Sequence, residues 1–410
     1  MLTRRQVLQR FLSMPAVGGF LGGGFLGKIA AGIPAYKALA SAPTRDYFHE
    51  LGIRTFINVS GTYTSLTGSL FPEEVVEAIA YASQRYVALD DIQDKVGERI
   101  AEMLGCEYAT VTSGAFSAMT LGTAGVMCGM DEKKVVRLPD TSGMKDEILM
   151  PKPPGYVGYV HALTNTGAKV FEVETLDEME RRIDGKTAML FMLNAYNDTE
   201  IGHVDLVALG KKHGIPTMND CAADVPPVEN LWAYTDMGYD LVCFSGGKAL
   251  RGPQSAGLLL GRKDLIMAAR LHAPPRGATI GRGMKVNKEE VLGMYVALER
   301  FVNLDHDALW AQWEAQTNHI REAVESVPGV ETEYHVPEVA NHTPSLRIAW
   351  DQQRIPITGG EVAENMRNGH PSIEILGGDE GLSLTVWMMR PGEEQEVARR
   401  IKQELTEASK

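Results

Sequence analysis

The sequence predicts an α/β fold, a mainly parallel sheet covered by helices, followed by a smaller C-terminal α/β part. Three observations carry this. Short apolar runs alternate with helical patterns from residue 72 to residue 244. Three of those runs, 108–111, 216–218 and 241–244, lead into polar or glycine-rich turns. Two long helical patterns, 288–301 and 309–327, then lead away from the alternation toward a shorter mixed tail. Such alternation pairs strands in parallel under helices on both faces, and ligands collect beyond the carboxyl ends of the strands.

In chain order, residues 1–42 read as a separate N-terminal segment. Residues 43–71 form a lead-in with a turn at Asn58-Val59-Ser60-Gly61. The spacing of Val75, Val76, Ile79 and Ala80 predicts a helix over 72–86, opened by Pro72 and the acids Glu73 and Glu74. A helix over 94–104 ends at Gly105. Strand 108–111 turns into helix 118–127, where Ala118, Leu121, Gly122 and Gly125 give the helical pattern. Strands follow at 133–138, 147–150 and 169–173, then helix 176–183, strand 188–193, helix 204–213, and strands 216–218 and 241–244. The tail holds strands 345–350 and 382–386 and a final helix 393–408. This divides the chain into a large domain over 72–300 and a small one over 301–410, with no internal repeat.

Three motifs carry chemistry. Leu241-Val242-Cys243-Phe244 stops in Ser245-Gly246-Gly247-Lys248, a strand end that presents one amine. The glycines remove side chains that would block close approach, so the amine can meet a planar ligand. That is the pattern of a Schiff-base lysine carrying pyridoxal 5'-phosphate (PLP). Alone, the same turn also reads as a surface loop with a solvated lysine. Asp220 lies 28 residues upstream, followed by Cys221, Ala222 and Ala223. A carboxylate there would pair with a pyridine nitrogen, and the small residues would let a ring lie flat; a helix-capping aspartate is the plainer reading. Thr112-Ser113-Gly114-Ala115 turns a strand into a helix, and free N–H groups at a helix N-terminus suit a phosphate. The order of loop, acid and lysine, each at the end of a strand, is more specific than any single motif.

With these residues in view, the chain resembles the fold-type I PLP enzymes of the selenocysteine synthase group. That group includes L-seryl-tRNA(Sec) selenium transferase and D-glucosaminate-6-phosphate ammonia-lyase. The resemblance runs from about residue 45 to the C-terminus. Its stretches are Phe56-Ile57-Asn58-Val59-Ser60-Gly61-Thr62, 89–100, 111–115, 220–224, 244–257, Gly281-Arg282-Gly283-Met284-Lys285-Val286 and Pro391-Gly392-Glu393-Glu394. It implies a large domain with a mainly parallel, seven-stranded type of sheet. It also implies that Lys248 forms the Schiff base and moves protons at the substrate Cα, that Asp220 pairs with the ring nitrogen, and that Ala222 and Ala223 lie under the ring. Ser113, Gly114 and Ala115 would cradle the phosphate, with Ser245 adding a hydroxyl. Arg282 would reach a phosphate or a substrate carboxylate, from a neighbouring subunit if the site is shared. Arg251 and Gln254 would order the lysine loop or reach ligand. The chain departs from its relatives at Met150-Pro151-Lys152-Pro153-Pro154-Gly155-Tyr156, where they often carry a basic, histidine-containing segment. The residue that stacks on the ring is therefore open among Tyr156, Tyr159 and His161. A substrate carboxylate could be clamped by Arg347 or by Arg390, which follows the apolar run Trp387-Met388-Met389.

Composition narrows the function. The chain of 410 residues is long enough for a large core, and its 44% hydrophobic and 23% charged content is that of a globular protein. With 53 acidic against 40 basic side chains the net charge is −13, which disfavours nucleic acid as a partner. The four cysteines, Cys106, Cys128, Cys221 and Cys243, and the ten histidines show no metal-ligand spacing, so no metal site is expected. Near the start, Thr3-Arg4-Arg5-Gln6-Val7-Leu8 precedes an apolar, glycine-rich stretch over 11–27 and Ala38-Leu39-Ala40-Ser41-Ala42. This is the layout of a twin-arginine export signal and predicts a periplasmic enzyme without stable membrane insertion once the signal is removed. A membrane-anchoring segment, or a cytoplasmic protein, is the alternative. The expected activity is a lyase acting by α,β-elimination on a small amino acid or amino sugar acid, in a homodimer or higher homo-oligomer. Racemase or aminotransferase, selenium transfer to seryl-tRNA, and a catalytically silent binding protein of the same fold are the competing readings.

Overall fold

The computed structural model describes residues 45–155, 157–196 and 199–410. The N-terminal segment read as an export signal lies outside them, as does Tyr156. The described chain forms two compact units. One holds residues 62–304 and 336–342; the other holds the described residues up to Gly61, then 305–335 and 343–410.

The larger unit is built on a seven-stranded sheet. Its elements are α1 (Glu73–Ser83), α2 (Leu89–Leu104), β1 (Tyr108–Thr112), α3 (Ala115–Cys128), β2 (Glu147–Pro151), β3 (Lys169–Val173), α4 (Leu176–Arg182), β4 (Thr187–Leu193), α5 (His203–His213), β5 (Thr217–Asp220), α6 (Asn230–Met237), β6 (Leu241–Ser245), β7 (Gly257–Gly261), α7 (Lys263–Leu271) and α8 (Lys288–Val302). The strand order is β1-β7-β6-β5-β4-β2-β3, and only β7 runs antiparallel to its neighbours. This is the fold-type I architecture, α/β with a mainly parallel sheet. Two antiparallel pairings in succession leave β1 and β6 pointing the same way. The carboxyl ends of β1, β6 and β5 therefore share one edge of the sheet.

The core explains the sequence pattern. Strand β4 is buried at all seven positions, so it reads as an unbroken apolar run. Helix α3 is buried nearly all round, since it lies between the sheet and α7. Its glycines make that approach possible. A methyl group on Gly125 would lie 2.5 Å from the Ala269 nitrogen, and one on Gly122 would lie 3.2 Å from Met218. The buried Arg270 of α7 is neutralised by Asp94 and, at 3.2 Å, by Asp90, both on α2.

The predicted strand at 133–138 is replaced by a helical turn, Glu132–Val135. Asp131 accepts from the Lys133 and Lys134 amides, and this cap overrides the β-branched pair Val135-Val136. The predicted helix at 94–104 starts earlier, at Leu89. Strand β7 and helices α6 and α7 were not read from the sequence. Strand β7, Gly257–Gly261, is flanked by glycine at both ends and follows a glycine-rich loop, which hides its apolar centre.

In the smaller unit, α9 (His306–Glu325) leads to β8 (Val330–His335) and β9 (Ser345–Trp350). These are followed by α10 (Gly359–Asn368), β10 (Gly381–Thr385) and α11 (Glu393–Ala408). Strands β10, β9 and β8 are antiparallel, and the short strand Leu376–Gly377 extends the β10 edge. Ile57–Asn58 pairs in parallel with Ile373–Glu374, so part of the N-terminal lead-in belongs to this unit. Trp313 and Trp387 meet edge to face at 6.5 Å in its core. Among the described residues no helix is long and apolar enough to cross a membrane.

Candidate active site

The site forms where three strands of the larger unit end. Thr112, Gly257 and Ser245 share one rung across β1, β7 and β6. At ordinary strand spacing this puts the ends of β1 and β6 about 10 Å apart. The phosphate-loop candidates Ser113, Gly114 and Ala115 leave β1 at this rung. Gly114 has φ 87°, and no side chain caps α3. With no side-chain cap, the N-terminal N–H groups of α3 are placed where an anion could accept from them. Thr112 Oγ1 donates to the Gly114 carbonyl at 2.9 Å and Ser113 Oγ to Ser117 Oγ at 2.9 Å, which fixes the turn. Gly257 makes room for it: a Cβ there would lie 2.5 Å from the Gly114 carbonyl carbon and 2.7 Å from the Ala115 nitrogen.

Asp220 is the last residue of β5 and stands opposite Cys243 of β6. Its Oδ1 accepts from the Ala222 amide at 3.0 Å and from the Cys243 thiol at 3.5 Å. Both bonds fall on one oxygen, so Oδ2 is left to accept from a further donor. Burial pushes the Asp220 carboxyl above the usual range, against the pull of the Ala222 amide and the Lys248 amine. A buried carboxylate of this kind needs a cationic partner. A protonated pyridine nitrogen meets both demands. Ala222 and Ala223 follow directly, with the Ser245 amide donating to the Ala222 carbonyl at 3.3 Å and the Asn341 amide to the Ala223 carbonyl at 2.7 Å.

Lys248 leaves the end of β6 in a loop that closes on itself. Gly246 donates to Ala256, Gly252 to Gly246 and Arg251 to Lys248 through their backbones. Gly246 and Gly247 are required here, since a Cβ would meet Met294 sulfur at 2.5 Å in the first case and Gln254 Cα at 2.4 Å in the second. Burial lowers the pKa of the Lys248 amine, and the Asp220 and Asp224 carboxylates partly oppose that shift. A lysine with a depressed pKa is the form that attacks an aldehyde. Acid, amine and uncapped helix end thus fit PLP in nature and in order.

The other candidates fall differently. Gln254 is a brace: its amide donates to the Thr64 carbonyl at 3.1 Å, while Ser69 Oγ donates to Gly247 at 3.1 Å. Arg251 sits in the lysine loop with φ 55°. Arg282 is exposed on the wall of an open pocket of about 400 Å³ shared with Tyr86, Lys285 and Lys288, and none of the lysine-loop residues lines it. His161 and Tyr159 are exposed, on a segment tied to α3 where Thr120 Oγ1 donates to the Ala162 carbonyl at 2.7 Å. Arg347 lies in the smaller unit, exposed and ion-paired with Glu333 at 3.0 Å. Arg390 is exposed in that unit too, and its amide donates to Glu393. Sequence reasoning missed the buried trio Asn194, Asp224 and Tyr234, in which the Asn194 amide donates to Asp224. A polar residue directly after strand 188–193 was the available signal. Among the described residues, no group of three or more His, Cys, Asp or Glu side chains could hold a metal ion.

Comparison with known proteins bears on the fold and the cofactor. Residues 161–309 match the family model for L-seryl-tRNA selenium transferase. The chain is 28% identical to D-glucosaminate-6-phosphate ammonia lyase of Salmonella typhimurium, over 80% of this chain and 89% of that protein. It is 26% identical to 5'-C-glycyluridine monooxygenase-decarboxylase of a Streptomyces species, over 88% and 92% of the two chains. With L-seryl-tRNA(Sec) selenium transferase of Moorella thermoacetica it shares 24%, over 87% and 84%. Among solved structures, a D-glucosaminate-6-phosphate ammonia-lyase superposes with a TM-score of 0.77 at 25% identity, over 90% of this chain and all of that one. A NifS-like protein superposes with a TM-score of 0.57 at 15% identity, which shows the shared fold. On its fold, its site and these similarities, the chain is a pyridoxal-phosphate-dependent enzyme of the fold-type I class, similar to the selenocysteine synthase-like lyases and transferases.

Proposed function

We propose that the enzyme catalyses α,β-elimination from a small amino acid or amino sugar acid, releasing ammonia. The observation that carries this reading is the site itself, a half-buried lysine and a buried aspartate at neighbouring strand ends. It occurs in a chain similar over most of its length to an ammonia lyase. When bound, PLP supplies an electron sink that lets a bond to Cα break. Asp220 would supply a negative charge to the ring nitrogen. The Lys248 amine, kept from full hydration, would take the Cα proton while the β-substituent leaves with its electron pair; the released enamine tautomerises to an imine, and water hydrolyses it to ammonia and a 2-oxo acid. The N-terminus of α3 would hold the phosphate and so place the cofactor relative to Lys248.

Three further points belong to this reading. The net charge of −13 favours a small substrate over tRNA. The Arg4-Arg5 segment directs export to the periplasm, which cell fractionation tests. The active unit is a homodimer or larger. Incubation with a panel of D- and L-amino acids and amino sugar acids tests the activity. Ammonia and a 2-oxo acid should appear in equal amounts. A racemised or transaminated product without ammonia would overturn the elimination.

A further inference from the structure

The turn over 221–224 carries Ala222 and Ala223, the two small residues assigned to the floor under a ring, and ends in a second buried acid. Asp224 is 3% exposed. Its Oδ2 accepts from the Asn194 side-chain amide, just beyond β4, and at 3.3 Å from the Tyr234 hydroxyl of α6. The Asn194 amide also donates to the Tyr234 hydroxyl oxygen at 2.9 Å, which closes a triangle. The Asp224 carbonyl accepts from the Asn230 side chain at 2.7 Å. These bonds fix Asp224 from two elements outside the turn. The Asp224 amide donates to the Cys221 carbonyl at 3.1 Å, and the Ala222 amide donates to Asp220 Oδ1 at 3.0 Å. The Cys221 carbonyl and the Ala222 N–H are the two ends of one planar peptide unit. That single plate therefore links the second acid to the first. Asp220, Cys221, Asn194 and Tyr234 are all buried, so water does not replace a bond lost along this path.

We infer that Asp224 is a positioning residue for Asp220: clamped by Asn194 and Tyr234, it sets the tilt of the Cys221–Ala222 peptide and so which Asp220 oxygen is left for the ring nitrogen. The terminal torsion of an aspartate has a broad, roughly two-fold preference, so its hydrogen bonds decide how the carboxylate is turned. With the peptide seated, Oδ1 is engaged by the Ala222 amide and Oδ2 stays available. With the clamp removed, the Asp224 amide no longer holds the Cys221 carbonyl in place, and the Ala222 amide at the other end of the same plate is released. What then remains on Asp220 is the Cys243 thiol at 3.5 Å, a weak donor. The inference rests on the assignment of Asp220 to the ring nitrogen made above.

Equilibrium titration of PLP into the cofactor-free protein tests this through a double-mutant cycle. Asp224→Ala should weaken PLP binding about tenfold, the worth of one bond in a buried site. In the Asp220→Ala background the same change should cost less than about twofold, because the group it positions is gone. Asp224→Asn keeps an oxygen for the Asn194 and Tyr234 donors and should recover most of the loss. Tyr234→Phe removes one donor without opening a cavity, and it decides the case if Asp224→Ala does not fold. It should weaken binding about threefold while Asp220 is present, and not in its absence. Equal losses with and without Asp220 would give Asp224 a general structural role and overturn the inference. So would an Asp224→Asn variant as impaired as Asp224→Ala, which would assign the effect to charge. If Asp220→Ala alone leaves PLP affinity unchanged, the ring-nitrogen assignment falls and the inference with it. If it weakens binding and the Asp224 and Tyr234 variants do not, the inference alone falls.

Discussion

At the residue scale the chemistry rests on a few atoms. Asp220 spends one oxygen on Ala222 and Cys243, and the proposed function assigns the other to the ring nitrogen. Replacing it with alanine should weaken PLP binding about ten- to a hundredfold, the worth of one charged hydrogen bond in a buried site. Equilibrium titration of the visible chromophore measures this. Lys248, Asp220 and Ser113 were legible in the sequence as strand-end residues because each closes or follows an apolar run. Asp224 was visible only as a letter in a motif. Its carboxylate accepts from Asn194 and Tyr234, 30 residues before it and 10 after. For Gln254 the sequence left two roles open, ordering the lysine loop or reaching ligand, and its amide bond to the Thr64 carbonyl fits the first.

At the element scale, the glycines of the site act as spacers between backbones. Gly257 lies where the start of β7 passes under the first turn of α3. Gly257→Ala should push the Ser113–Ala115 turn off its seat and destabilise the fold by about 1–3 kcal/mol. The variant should also lose preference for PLP over pyridoxal, which lacks the phosphate, by about tenfold, the effect of roughly one anchoring hydrogen bond. An unchanged ratio would show that the α3 end does not hold the phosphate. Elements with strong periodicity were legible from sequence, and helix Glu393–Ala408 matches its predicted range. The helix at Glu132–Val135 was not, because a local cap outweighed the strand preference of two valines. Strand β7 was missed because the turn before it and the glycines at its ends carry the stronger signal.

At the scale of the whole molecule, the α/β alternation announced the parallel sheet. It could not announce the single antiparallel strand that brings the ends of β1 and β6 onto one edge. Nor does the order of residues show that 45–61 belong with the C-terminal unit, since that depends on a two-residue pairing with Ile373–Glu374. Global stability carries its own pH signature. His272 is fully buried, and burial pushes its pKa down to about 4 from an ordinary 6.5. The unfolded chain binds the proton more readily in this window, so stability is whole above pH 6.5 and falls as pH drops toward 4. The loss at the acid end is about 3 kcal/mol. His272→Gln should flatten the melting temperature over that range. A slope equal to wild type would assign the acid sensitivity elsewhere.

The central claim is that Lys248 carries the cofactor. Borohydride reduction of the PLP-loaded protein, followed by peptide mass spectrometry, tests it most directly. The account predicts a phosphopyridoxyl group on the peptide containing Lys248 and none on Lys248→Ala at that position. A protein that takes up no label, or carries it on another lysine, would contradict it.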